Sequence, residues 1–209
     1  MVNKKSNFYN KRLGGHNIEN YLLEKFPGAK EVKSISKKVI DMDAFCQRNL
    51  GGATDGDCTL TSLTTIIYYH CKKEIDHRAI YSVVRNWAEK HFFNGKSGTF
   101  PLFIKRIFDK SLKSLNIKAL NTKAAMVKGI GFNLNTIKKA IDNKKPIAFS
   151  IFNDGRDYYS NHTITIVGYE IFKLDNNKKV TMLLVYDNWT TSLSYVDYDL
   201  VCTISSINY

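Results

Sequence analysis

The chain has 209 residues, 44% hydrophobic and 12% aromatic, enough for one domain with a real core or two lobes sharing an interface, and no apolar run is long enough to span a membrane. The net charge is +12, but the lysines are scattered through every segment with no arginine-rich block and no aromatic-basic motif, so the charge reads as a solvated surface and argues against nucleic acid as a partner. Cys46, Cys58, Cys71 and Cys202 are too few for a disulfide framework, and no CxxC or HxxxH pair supplies a zinc ligand set.

The start, "MVNKKSNFYNKRLGG", is charged and lacks an apolar h-region. It predicts no signal peptide, leaving a cytoplasmic protein or a secreted one whose signal has been removed. Helical spacing of Ile18, Leu22, Leu23 and Phe26 predicts a helix over 16–26, closed by Pro27-Gly28. Residues 31–42 read as a short strand or an extended arm, and 43–57 as a loop rich in glycine and aspartate. A helix opens at Cys58, with Leu60, Leu63, Ile67 and Cys71 marking one buried face and Asp55 or Asp57 as its N-cap. Further helices are predicted over 76–92, 100–115 (with Pro101 in the first turn) and 133–145, the last capped by Asn133 or Asn135.

After Pro146 the period changes from about 3.6 to 2. "PIAFSIF", "HTITIVGYEIF", "VTMLLVYDNW" and "SYVDYDLVCTI" read as four strands, the second and third joined by a hairpin at "LDNNKK" (174–179). The class is α+β. Residues 1–40 form an N-terminal extension, 41–145 a helical lobe and 146–209 an antiparallel sheet lobe.

Cys58 stands at the mouth of its helix, where partial positive charge and unpaired N–H groups depress a thiol pKa. The thiolate is the nucleophile, and it needs a histidine beside it and a third polar group to hold that histidine's tautomer. His162 begins an apolar strand and Asp187 ends the next. If 174–179 is a hairpin, antiparallel pairing puts both at one rim of the sheet. Cys71 and Cys202 read as small core hydrophobes.

"DCTLTSLTTIIYYH", "NHTITIVGY" and "VYDNW" together resemble the papain-like cysteine peptidases. The resemblance is nearest to the bacterial branch that cleaves double-glycine leader peptides and its stand-alone relatives, in which Asp takes the place of Asn, as at Asp187. It covers about residues 45–75 and 146–190. It implies a two-lobed fold, a Cys58–His162–Asp187 triad and a thioester acyl-enzyme. It also implies a peptide or protein substrate, no metal or organic cofactor, and a specificity pocket between the lobes with Trp189 at its floor or rim.

Two positions depart from that branch: Thr59 stands where Gly usually follows the nucleophile, and position 52 is glycine where the oxyanion-hole glutamine is expected. Gln47, eleven residues before Cys58, is the candidate in its place, with Asn49 as its substitute. Two rival readings keep the same residues: a non-catalytic peptide-binding module on the same fold, and a Cys-His-Asp acyltransferase.

Overall fold

The computed structural model describes residues 18–50, 56–96, 98–118, 120, 122–125, 133–151, 161–199 and 203–208. Five helices are described: α1 (Ile18–Lys25), α2 (Cys58–His70), α3 (His77–Glu89), α4 (Ile104–Ser114) and α5 (Leu134–Asp142). Seven strands form one sheet: β1 (Val32–Val39), β2 (Lys123–Ala125), β3 (Ile147–Ile151), β4 (His162–Leu174), β5 (Lys179–Tyr186), β6 (Leu193–Asp197) and β7 (Thr203–Asn208). The α+β class read from the pattern change at Pro146 is the class observed. Cys202, expected in the core, lies outside the described residues.

Side-chain caps mark the starts of α3 and α5. The Asp76 carboxylate accepts from the N–H groups of Arg78 and Ala79 at the head of α3, and Asn133 accepts from Thr136 N–H at the head of α5. In α4 the residues Ile104, Ile107, Phe108, Ser111 and Leu112 are buried at helical spacing, with Pro101 in a preceding 3-10 turn. These stripes meet Leu60, Leu63, Ile66 and Ile67 of α2 to form the core of the helical lobe.

α2 is not the one-faced helix its leucines and isoleucines predict. Every residue from Cys58 to Ile67 is buried, including Thr59, Thr61, Ser62, Thr64 and Thr65. The hydroxyl-bearing side supplies the contact with the sheet: Thr59 Oγ1 lies 2.8 Å from Thr163 Oγ1 on β4, which lies 3.0 Å from Ser150 Oγ on β3. Thr61 and Thr65 bond back to the carbonyls of Asp57 and Thr61. Small hydroxyls that pair with one another let the helix sit close to the strands, although among the described residues the buried hydroxyls of Thr64 on α2 and Thr165 on β4 have no hydrogen-bond partner.

The sheet order is β2-β7-β3-β4-β5-β6. Along β3 and β4 the side chains alternate as a two-residue period requires. Ile147, Phe149, Ile151, Ile164 and Ile166 face α5 and pack on Ile137 and Ile141, while Ala148 joins the core of α2. β4 is long enough to carry two partners on one edge, β3 along 162–166 and β1 along 168–174. Gly168 sits where that edge changes partner, and its pairing with β5 shifts register there. A Cβ at Gly168 would lie 2.4 Å from Lys38 O, so β1 can approach only a residue without a side chain. Residues 18–39 thus join the sheet lobe: β1 pairs with β4, and Ile18, Tyr21 and Leu22 of α1 pack on Phe172, Leu174, Met182 and Tyr195.

The last predicted strand is two strands. β6 stops at Asp197, whose carboxylate accepts from Asp199 N–H and from Lys25, while β7 returns to pair between β2 and β3. The side-chain–backbone bond makes a turn where the hydrophobic pattern runs on. The hairpin expected at 174–179 is present, with Asn177 in the left-handed region at φ 65° and Leu174 N–H bonded to Lys178 O. It brings the start of β4 beside the end of β5, with Thr165 opposite Tyr186.

Candidate active site

The chain enters α2 through a tight contact. Gly56 N–H donates to Gly95 O, and a Cβ on Gly56 would lie 2.8 Å from Gly98 N. Gly98 also lines a hollow of about 450 Å3 walled by Phe92, Phe100, Pro101 and Phe103. Asp57 holds the N-cap position, as the sequence predicts, but its side chain makes no capping bond. It is fully buried, accepts from Tyr81 OH at 2.5 Å and lies 3.8 Å from Arg85 Nη1, so the carboxylate anchors α2 to α3. Burial and this partner push the Tyr81 phenol up to about 12. Asp55, the other cap expected, lies outside the described residues.

Cys58 is the first residue of α2 and is 8% exposed. Its Sγ accepts the Thr163 N–H at 3.4 Å and is hydrogen bonded to the side chain of His162, the first residue of β4. Burial favours the neutral thiol, but the hydrogen bond and charge of His162 and the Thr163 N–H outweigh it, so the Cys58 pKa falls below the ordinary thiol value. His162 shifts the other way. Burial favours its neutral ring, and the thiolate and Asp187 more than offset that, so its pKa rises. The two shifts have one cause: each group favours the charged form of the other in a site shielded from water.

The far side of the imidazole is held by a main-chain group. His162 Nε2 lies 2.6 Å from the carbonyl oxygen of Asp187. A carbonyl only accepts, so Nε2 carries the proton and Nδ1 is left to face the sulfur. The Asp187 carboxylate adds its charge to the rise in the His162 pKa while its Oδ1 accepts from Trp189 N–H, Thr190 N–H and the Thr190 hydroxyl. Trp189 stacks on the imidazole, with ring centroids 4.1 Å apart and planes 27° apart, and is 37% exposed. Cys46 Sγ donates to the Trp189 carbonyl at 3.0 Å.

Gln47 lies in a 3-10 turn, Gln47–Asn49, packed on the same segment: its N–H donates to Asn188 O at 2.8 Å. The side chain is buried and its Oε1 has no hydrogen-bond partner. Asn49, its proposed substitute, is exposed. The tertiary structure therefore gathers Cys58, His162, Asp187, Trp189 and the turn carrying Gln47 around one point, from residues far apart in the chain.

Sequence reasoning missed Thr163 and Asn188. Thr163 reaches the sulfur through its backbone N–H and its side chain, but a threonine on a strand reads as an ordinary β-former. Asn188 is fully buried, yet an Asn after a strand reads as an ordinary turn former. Among the described residues no group of three or more His, Cys, Asp or Glu could hold a metal ion, and no helix is long and apolar enough to cross a membrane.

A model described as the Peptidase_C39 like family matches residues 39–207. No curated protein matches the chain.

Proposed function

The chain belongs to the Peptidase_C39 like family, a relationship to the papain-like cysteine peptidases, and from that premise we propose that it hydrolyses peptide bonds through Cys58, His162 and Asp187. The Cys58 thiolate attacks the scissile carbonyl carbon, and the C=O electron pair becomes an oxyanion. The Cys58 backbone N–H and the Gln47 side-chain amide receive that charge. The His162 imidazolium gives its proton to the leaving nitrogen as the C–N bond breaks, leaving a thioester on Cys58. Water, deprotonated by the now neutral His162, attacks the thioester, releases the carboxylic acid and restores the ion pair. Asp187 keeps the ring oriented and balances its charge, and none of these steps calls for a cofactor.

The observation that supports this reading most is the buried sulfur–imidazole contact with its opposed pKa shifts. Trp189 covers the imidazole on one side and offers a half-exposed indole at the rim where a peptide would lie. Residues 41–209 would then be the peptidase domain, with 1–40 an N-terminal extension of which α1 and β1 pack onto the sheet. Asp187 in place of Asn and the "DC" at 57–58 favour the double-glycine leader-peptidase branch, so peptides with Gly-Gly before the scissile bond are the first substrates to try.

The test is to incubate the protein with synthetic peptides, with and without Gly-Gly, quench in acid and weigh the intact chain. The expected result is release of an amine fragment together with an acyl adduct on Cys58, both absent in Cys58→Ala. Cleavage undiminished in that variant would sink the reading. Tight binding without any cleavage would move the chain to the non-catalytic peptide-binding module, and transfer of the acyl group to an added amine in preference to water would mark an acyltransferase.

The same assay tests Gln47. Loss of one oxyanion donor typically costs kcat on the order of 10²-fold. Gln47→Ala is expected to lose about that much with KM little changed, while Asn49→Ala stays at the wild-type rate; equal effects from both would remove Gln47 from the oxyanion site.

A further inference from the structure

Asn188 follows the last residue of the triad and has the costs of a residue held for a purpose. Its backbone is left-handed at φ 64°, its side chain is fully buried, and its Oδ1 has no hydrogen-bond partner. An unpaired buried acceptor and a strained backbone persist only where the surrounding contacts over-determine them. Those contacts are all on the donor side. Nδ2 lies 3.0 Å from Cys58 O, 2.8 Å from Thr163 O and 2.7 Å from Ser62 Oγ.

Two of these acceptors belong to the residues that bear or adjoin the reactive pair. Cys58 carries the sulfur, and Thr163, next to His162, donates its N–H to that sulfur. The result is a closed ring: Thr163 N–H to Cys58 Sγ, Thr163 O to the Asn188 amide, and the same amide to Cys58 O. α2 and β4 also meet here through the Thr59 and Thr163 hydroxyls. On its backbone side Asn188 O accepts from Gln47 N–H, so the same residue also ties down the turn that carries the oxyanion candidate.

We propose that Asn188 is the positioning residue of the nucleophile pair: its side-chain amide clamps the first residue of α2 to the strand that carries His162, and so sets the sulfur–imidazole contact. The proposal rests on the cysteine-peptidase reading above. It differs from a purely structural role in what it predicts, because a clamp that sets the pair controls how much thiolate the site holds at acid pH.

The titratable groups around the sulfur are His162 on β4, Asp187 in the turn after β5 and Asp57 at the entry to α2, the last turned toward Tyr81 and Arg85 of α3; Cys46 lies beyond Trp189. Asn188→Gly and Asn188→Ala leave all of them in place. Both remove the amide, but glycine tolerates the left-handed backbone and alanine does not, so the amide and the backbone can be separated. The measurement is the iodoacetamide rate at Cys58 against pH, read by peptide mapping, beside the melting temperature.

Both variants are expected to raise the midpoint of the profile by about one pH unit, a roughly tenfold slower reaction below it, with the wild-type rate recovered at high pH. Variants that melt lower but keep the wild-type midpoint would overturn the proposal and leave Asn188 a structural residue only. A wild type with no thiolate plateau at acid pH would overturn the ion-pair reading, and this proposal with it. A plateau in the wild type that both variants share would overturn this proposal alone.

Discussion

His162→Ala is expected to slow alkylation of Cys58 at pH 6 by on the order of 10²-fold, and to turn a flat pH profile into a rising one. In the wild type the Cys58 pKa is lowered, so thiolate persists as pH falls toward that value. The His162 pKa is raised, so imidazolium persists as pH rises toward its own. The proposed ion pair requires the Cys58 value to lie below the His162 value, and its expected signature is a bell-shaped kcat/KM with one limb at each. Without the imidazole, burial is the largest remaining influence on the thiol and it acts upward, opposed by the N–H and the hydroxyl of Thr163. The thiol then titrates at or above its ordinary value of about 8.5.

Peptide hydrolysis should fall further than alkylation, on the order of 10⁴-fold or more, because the same ring also protonates the leaving amine and activates water. Cys46 and Cys71 are also free thiols, so the rate has to be read on the peptide containing Cys58. If His162→Ala kept a fast, pH-independent reaction down to pH 6, the imidazole would not be the partner of the sulfur.

Gly168→Ala is expected to be the most damaging small substitution in the sheet. The new Cβ would lie 2.4 Å from Lys38 O, 3.1 Å from Val39 Cα and 3.3 Å from Leu184 Cβ. The first two are main-chain atoms of β1, which cannot rotate away as a side-chain end could. Relief requires lifting β1 from β4 or widening the strand spacing, with loss of the bond from Ile40 N–H to Val167 O. A cost of about 3 kcal/mol is the upper end of ordinary overpacking, and for a chain of this size it lowers Tm by roughly 6 to 12 °C.

The damage should stay local. β1 pairs with the 168–174 end of β4, whereas His162 opens the other end beside β3. The folded fraction of Gly168→Ala should therefore keep the wild-type alkylation profile at Cys58. Thermal unfolding and alkylation measured on one preparation check both halves; a variant melting with the wild type would show that β1 accommodates the methyl group.

Much of this molecule could be read from local pattern. The buried stripes of α3 and α4, the caps at Asp76 and Asn133 and the alternation of β3 and β4 are properties of neighbouring residues, and each element formed where its period predicted. The meeting of His162 with the end of β5 was also legible, because a hairpin is the one long-range pairing that short-range turn chemistry specifies. Cys58 at a helix mouth needed only the change from glycine and aspartate to an apolar period.

Other features depend on partners that no local window contains. The hydroxyl face of α2 looks solvent-facing until β3 and β4 present Ser150 and Thr163 to it. Asp57 looks like a cap until Tyr81 and Arg85 draw its carboxylate toward α3. Whether 31–42 is an arm or a strand turns on Gly168, more than a hundred residues later, leaving room for it. Sequence alone brought out Cys58, His162 and Asp187 as candidates and the elements that carry them, because helix period, strand period and turn type act over a few residues. Tertiary structure alone decided that a carbonyl of Asp187 holds the imidazole and that Asn188 closes the gap between helix and strand, because hydrogen bonds between distant segments are chosen by packing and leave no trace in the spacing of the residues that make them.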